Sequence, residues 1–227
     1  MSKYDFVLDM NSDNSNSVIL RHIKPNSKVL ELGCAHGRMT KYLKETLQCT
    51  VDTVELDEEA GKIAANWANK SFAGNVEDVD IWNELNDIGC NNYDYIIFAD
   101  VLEHLHDPKR VLTDSKKLLS PNGSIWISIP NVAHNAVLID LMNNRFTYRE
   151  IGLLDVTHIK FFTIISLLQM IADCKLELIT RFDLKNPVQH TEFGNSYDDV
   201  PPWVADFLQK RDLGEVYQFV WELKHGS

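Results

Sequence analysis

From residue 28 to residue 130 the sequence changes its hydrophobic period again and again, and few folds accommodate that. Residues 29–32 form a short apolar run of the kind found in buried strands, and 39–47 follow with Leu43 and Leu47 on one helical face. Residues 51–56 make the next strand-like run, after which Ile63, Ala64 and Trp67 recur at helical spacing. Residues 93–99 read as a strand, 108–119 as a helix opened by Pro108, and 123–129 as a further strand. Strand-helix alternation of this kind predicts a mainly parallel sheet with helices on both faces.

After residue 130 the alternation breaks. Residues 131–160 mix apolar and basic side chains without a clear strand, and helix and strand patterns return at 164–172 and 176–182. A polar, proline-containing stretch, 186–202, precedes a last strand-like run at 216–223. We read a single domain over 1–227: a ligand-binding core at about 24–130, a cap at about 131–160, and a last helix and strands within 163–224. With 227 residues, 44% of them hydrophobic, the chain can bury a sizeable core.

Composition removes several function classes. No run of 18 apolar residues exists, so a membrane span is not expected, and Met1-Ser2-Lys3-Tyr4-Asp5 does not resemble an export signal. The four cysteines, Cys34, Cys49, Cys90 and Cys174, form no CxxC pair and read as reduced thiols of a cytoplasmic protein. A net charge of −11 argues against a phosphate-backbone footprint, so nucleic acid is not an expected partner.

The chemistry concentrates at Val29-Leu30-Glu31-Leu32-Gly33-Cys34-Ala35-His36-Gly37. A small-residue turn between strand and helix lets a ligand approach the backbone closely, with Gly33 and Gly37 giving the clearance. Glu55 ends the second strand and suits the two hydroxyls of a ribose. A plain tight turn with an exposed acid is the competing reading of each feature alone. A dinucleotide fingerprint also competes, but its third glycine is missing and a leading carboxylate at Glu31 would repel a pyrophosphate. That carboxylate instead suits an ammonium.

Five segments together resemble a known family. Glu31-Leu32-Gly33-Cys34-Ala35-His36-Gly37 is similar to the first motif of class I methyltransferases, and Val54-Glu55-Leu56-Asp57 to the second. Gly74-Asn75-Val76-Glu77 resembles the segment bordering the adenine. The run from Tyr93 through Asp100-Val101-Leu102-Glu103-His104-Leu105 resembles the fourth-strand motif, and Leu119-Ser120-Pro121-Asn122-Gly123 the turn that follows. The nearest groups are the bacterial type 11/12 methyltransferases, which include ubiquinone-biosynthesis O-methyltransferases and the methionine-biosynthesis W protein group. The segment Leu153-Leu154-Asp155-Val156-Thr157-His158-Ile159-Lys160-Phe161-Phe162-Thr163 also looks like one that recurs there.

The resemblance implies a Rossmann-like, seven-stranded α/β sandwich with strand order 3-2-1-4-5-7-6, mostly parallel with an antiparallel last strand. It implies S-adenosyl-L-methionine as cofactor and methyl transfer to an oxygen or nitrogen of a small-molecule acceptor. Carried over by position, Glu31 stands near the methionine amino group, and Gly33, Ala35 and Gly37 line the cofactor by backbone. Glu55 holds the ribose, Leu56 flanks the adenine, Asn75 and Val76 border its edge and face, and Ala99 and Asp100 face the methionine end. Two positions depart from the pattern. Ala35 replaces the commonest glycine and fits if its φ is negative. Asn75 replaces the usual Asp, leaving only a neutral hydrogen bond for the adenine.

His104, His134 and His158 are the candidate general bases, because imidazole titrates near neutrality. Capping and packing roles are their competing readings. They lack metal-ligand spacing, so no metal is expected. Arg145, Arg149 and Lys160 gather positive charge in the cap, either as a solvated face or as a clamp for a carboxylate, phosphate or nucleotide-sugar acceptor. Phe146, Tyr148, Phe161 and Phe162 supply apolar walls or core, and Tyr4, Asp5 and Phe6 suggest a lid or a frayed end. Two other functions remain open: an adenosylmethionine-binding regulatory module without catalysis, and an NAD-linked oxidoreductase.

Overall fold

The computed structural model describes residues 8–87 and 89–226, so the suggested lid at Tyr4, Asp5 and Phe6 lies outside the described residues. Seven strands form one sheet: β1 (Lys28–Leu32), β2 (Thr50–Glu55), β3 (Lys70–Ala73), β4 (Tyr93–Ala99), β5 (Leu119–Pro130), β6 (Leu176–Lys185) and β7 (Val216–His225). Their order is β3-β2-β1-β4-β5-β7-β6. The first five strands pair in parallel. β7 slots between β5 and β6, antiparallel to both.

The described residues also form eight α-helices: α1 (Ser15–His22), α2 (Arg38–Glu45), α3 (Glu58–Ala64), α4 (Val79–Asp87), α5 (Pro108–Ser115), α6 (Asn135–Met142), α7 (Ile164–Asp173) and α8 (Pro202–Gln209). Side chains alternate across each strand, which splits the core in two. Leu30, Leu32, Ile96, Phe98 and Ile127 pack on one face with Trp82, Leu112 and Leu167 of the helices. Val29, Val51, Ile97 and Trp126 pack on the other with Ile19 and Leu43. Glu31 shares that second face, which turns it toward α2. All four cysteines are buried and free.

Three features differ from the sequence expectation. α5 ends at Ser115, and a 3-10 turn over Lys116–Leu118 leads into β5, which begins at Leu119. The Leu119-Ser120-Pro121-Asn122-Gly123 turn is thus an irregularity within β5, where pairing jumps from Tyr93–Leu119 to Tyr95–Ser124. A Cβ on Gly123 would lie 2.5 Å from the Tyr93 carbonyl oxygen, so only glycine fits there. The cap contains a helix, α6, which is apolar nearly all round and so shows no amphipathic stripe to read. The stretch after Asn186 runs into α8, not directly into β7. α6 and α8 share a small core of their own built from Ala136, Ile139, Val188, Val204 and Leu208.

Candidate active site

The turn between β1 and α2 bends through three left-handed residues, Gly33 (φ 73°), Ala35 (φ 47°) and Gly37 (φ 73°). A Cβ on Gly33 would meet Val101 Cγ2 at 2.6 Å, and one on Gly37 would meet Ala64 Cα at 2.6 Å. Gly37 thus sets how closely α2 approaches α3. The condition under which Ala35 fits without strain, a negative φ, is not met: the alanine occupies a conformation that costs an L-residue about 1–2 kcal/mol. Its amide donates to Glu55 Oε2 at 2.7 Å, an anchor that holds it there.

Glu31 is buried, and Thr40 Oγ1 donates to its Oε2 at 2.7 Å. Burial pushes this carboxyl up to about 7; the Thr40 hydrogen bond opposes that and the Glu55 charge adds to it. Glu55 closes β2 and also accepts the Asp57 amide at 3.0 Å through Oε1. Leu56 is 68% exposed, an apolar side chain standing open at the cavity wall, whereas Val76 is buried. Asn75 Oδ1 accepts the Glu77 amide at 2.8 Å, so this side chain first shapes its own loop. Glu77 in turn accepts the amides of His106 (3.0 Å) and Asp107 (2.7 Å), tying that loop to the one after β4. Glu31, Glu55, Leu56, Asn75, Val76 and Glu77, with Gly33, Ala35, Ala99 and Asp100, line a cavity of about 630 Å³ at the carboxyl ends of the strands. Gly37 stands behind the turn and shapes it from there.

A second cavity, about 460 Å³, opens beside the first. The two share Asn16, Arg38, Asp100 and His104. Asp100 leaves β4 with φ 56°. Its Oδ1 accepts from Ser128 Oγ at 2.8 Å and from Gln218 Nε2. Desolvation raises its pKa, against the pull of Ser128 and His104.

Two of the three candidate histidines meet here. His104 and His158 pack edge to face with ring centroids 4.8 Å apart. Their Nδ1 atoms face carbonyl oxygens, of Thr157 at 3.1 Å and of Leu153 at 3.3 Å, so Nδ1 is the donor in each ring. Glu103 lies beneath them, 1% exposed, with His158 Nε2 4.0 Å from Oε1. Neither Glu103 carboxylate oxygen has a hydrogen-bond donor among the described residues. Desolvation raises its pKa well above the ordinary value. Although these histidines carry no metal-ligand spacing in the sequence, ligand-capable atoms of Glu103, His104 and His158 all lie within 4.8 Å of one another.

His134 is not part of this group. It is 0% exposed and lines neither cavity. Its Nδ1 accepts the Ala136 amide at 3.1 Å as the N-cap of α6, and its Nε2 donates to the Asn186 carbonyl at 2.8 Å. Burial lowers its pKa, and the geometry makes it a capping residue rather than a base.

The basic clamp is likewise absent from both cavities. Arg145 pairs with Asp140 at 2.9 Å, the Arg149 guanidinium lies over the Phe193 ring at 5.0 Å, and Lys160 is exposed. Phe146 and Tyr148 point outward, and Phe162 belongs to the main core. Among the lining residues to which the sequence assigned no role are Asn16, Arg38, Glu103, Asp155, Tyr217 and Gln218. Glu103 and Asp155 lie inside recognised segments and Arg38 adjoins one; Tyr217 and Gln218 reach the site because β7 lies beside β5.

A methyltransferase-domain family model matches residues 12–180. The ubiquinone biosynthesis O-methyltransferase of Coxiella burnetii is 25% identical over 141 residues, covering 59% of this chain and 58% of that protein. Its Haemophilus ducreyi namesake is 26% identical over 127 residues, 52% of each. The chain thus spans little more than half the length of these curated relatives. Among solved structures, the CcbJ methyltransferase of Streptomyces caelestis superposes with a TM-score of 0.62 at 14% identity, covering 99% of this chain and 95% of that one. A TehB-like SAM-dependent methyltransferase of Corynebacterium glutamicum gives 0.58 at 16% identity, covering 93% and 86%. Motif, topology and family model agree, and the chain belongs to the methyltransferase-domain family, with the class I fold of S-adenosylmethionine-dependent methyltransferases.

Proposed function

We propose that this chain transfers a methyl group from S-adenosylmethionine to an oxygen or nitrogen of a small acceptor. The observation that carries the reading is the junction of the two cavities at Asp100 and His104. The larger cavity fits the cofactor. Glu31 is a buried carboxyl with one hydrogen-bond donor, which suits an ammonium. Glu55 keeps lone pairs for ribose hydroxyls beside those used by Ala35 and Asp57. Leu56 and Val76 offer apolar surface to the adenine, and Asn75 borders its edge. Bound there, the cofactor supplies an electrophilic sulfonium methyl.

The protein's own contribution is placement and proton handling. Aligning two reactants accounts for about 7–11 kcal/mol of a barrier. His104, at the junction, has its Nδ1 turned to a carbonyl, which makes Nε2 the proton-accepting side of the ring. His158 stands behind it as a second base. Proton removal adds about 10²–10⁴-fold when the acceptor is protonated, so His104→Gln is expected to lower turnover by about that factor.

The test joins calorimetry with S-adenosylhomocysteine to transfer of labelled methyl into pooled hydroxyl and amine acceptors. Micromolar binding, weakened at least tenfold by Glu55→Ala, is the expected result. Unchanged affinity in that variant would sink the cofactor assignment.

A further inference from the structure

The smaller cavity is lined by a buried carboxyl, Glu103, with His158 Nε2 standing 4.0 Å from its Oε1. Glu103 is 1% exposed, and among the described residues neither of its oxygens receives a hydrogen bond. Burying such a group without donors is costly, and proteins rarely do it without a ligand in prospect. His104 and His158 complete the cluster, within 4.8 Å. Their Nδ1 atoms donate to carbonyls, so the other nitrogen of each ring is the acceptor side.

We propose that this part of the cavity binds the protonated amine of the acceptor, and that the amine nitrogen is the atom methylated. The proposal rests on the methyl-transfer reading above. An ammonium brings three N–H donors and a positive charge to a cluster made of acceptors. A carboxylate or phosphate would instead meet three acidic side chains, Glu103, Asp100 and Asp155, whereas an ammonium favours the ionised form of Glu103 and Asp100 against the desolvation that raises their pKa. A lone hydroxyl would bring one donor and no positive charge to the two oxygens of Glu103. Of the basic residues that would draw an anion, Arg145, Arg149 and Lys160 lie outside the cavity. Arg38, the one Arg or Lys among the described lining residues, sits at the boundary with the cofactor cavity.

The chemistry balances. The ammonium gives one proton to the Glu103–histidine cluster. The nitrogen lone pair then forms the new N–C bond as the S–CH₃ bond breaks, and that bond's electron pair stays on sulfur. The products are an N-methylammonium, S-adenosylhomocysteine and one proton, released from the cluster to solvent.

The experiment uses matched probes, each an amine, a neutral hydroxyl compound and a carboxylate: propylamine, propanol and propionate; tyramine, 4-ethylphenol and 3-(4-hydroxyphenyl)propionate; glucosamine, glucose and glucuronate. Each is titrated into the protein saturated with S-adenosylhomocysteine. The expected result is that the amine of at least one set binds ten times or more tighter than its partners. Glu103→Gln is expected to weaken amine binding about thirtyfold and so to erase that preference, and Glu103→Asp, which keeps the charge, to restore part of it. With S-adenosylmethionine, mass spectrometry then finds the added methyl on nitrogen. Tightest binding by a carboxylate or hydroxyl compound, no binding by any amine, or an intact preference in a folded Glu103→Gln protein overturns the proposal. So does high-affinity Mg²⁺ or Zn²⁺ binding that Glu103→Gln abolishes, which would give the cluster to a metal. Failure of the methyl-transfer reading shows separately, as no S-adenosylhomocysteine binding before any amine is added.

Discussion

Burial lifts the Glu31 carboxyl from 4.5 to about 7, which sets stability and cofactor binding against each other. A raised acid pKa means that the folded chain holds the proton more tightly than the unfolded one. The stability it contributes is therefore present below about pH 4.5 and is lost as pH rises to about 7. Glu31→Gln removes this dependence. Urea unfolding of the unliganded protein is expected to show the variant about 1–3 kcal/mol more stable than wild type at pH 8 and nearly equal at pH 4.5. Cofactor affinity runs the other way, because an ionised Glu31 is what an ammonium needs. Wild-type affinity for S-adenosylhomocysteine rises as pH climbs through 7, while Glu31→Gln binds weakly and flatly; a pH-independent wild type would remove Glu31 from the site. Glu31, Glu55 and the two turn glycines were readable because each sits at a fixed place in a strand-turn-helix unit. The sign of φ at Ala35 was not, since the hydrogen bond its amide donates to Glu55, a distant residue, holds that conformation.

At the scale of elements, the smaller cavity, which we propose takes the acceptor, depends on how the cap is fastened. Asn195 Nδ2 donates to the Ala136 carbonyl and to Asp140, both at 2.8 Å, and Arg211 donates to Asn135 Oδ1 at 2.6 Å and to the Ala133 carbonyl at 3.1 Å. These bonds tie α6 to the segment around α8. Glu192 adds a second tie, accepting from Tyr217 at 3.0 Å and from the Leu153 amide at 2.7 Å. Removing one charged donor from such a network costs about 1.5–3 kcal/mol. Arg211→Ala is expected to lower hydrogen-exchange protection in α6 and to weaken acceptor binding, with S-adenosylhomocysteine affinity unchanged. Equal protection in both proteins would mean the cap does not rely on this tie. Gly37 poses the matching test in the core. Its Cβ would strike Ala64 Cα, a backbone atom that cannot yield, so Gly37→Ala is expected to cost about 2–4 kcal/mol by thermal unfolding. Strands β1, β4 and β7 were legible from their apolar runs. β3 was legible only by resemblance, because four residues with Phe72 alone buried give no period. α8 hid behind Pro201 and Pro202, which read as loop although proline opens a helix well.

The whole molecule unites two regions that the sequence presents as separate. Residues that line the larger cavity come mostly from the first four strands and the loops that follow them, whereas Tyr217 and Gln218 of the last strand reach the smaller one. Placing β7 between β5 and β6 puts Phe219, Trp221 and Leu223 into the same core as Leu30, Phe98 and Ile127. No boundary in that core lets the C-terminal strands melt while the cofactor half stays folded. The chain is therefore expected to unfold in one transition, with the far-ultraviolet signal and the near-ultraviolet signal of buried Trp126 and Trp221 coinciding. Ligand bound at the carboxyl ends of β1 and β2 must then stabilise β7 as well. S-adenosylhomocysteine at 100 times its dissociation constant adds about 2.7 kcal/mol, which for a chain this long raises the midpoint by about 5–10 °C. Both signals should move together by that amount, and NAD at the same concentration should move neither. A second, ligand-insensitive transition in the Trp221 signal would show that the acceptor side folds as its own unit, and the two cavities would then be joined by contact rather than by a shared core.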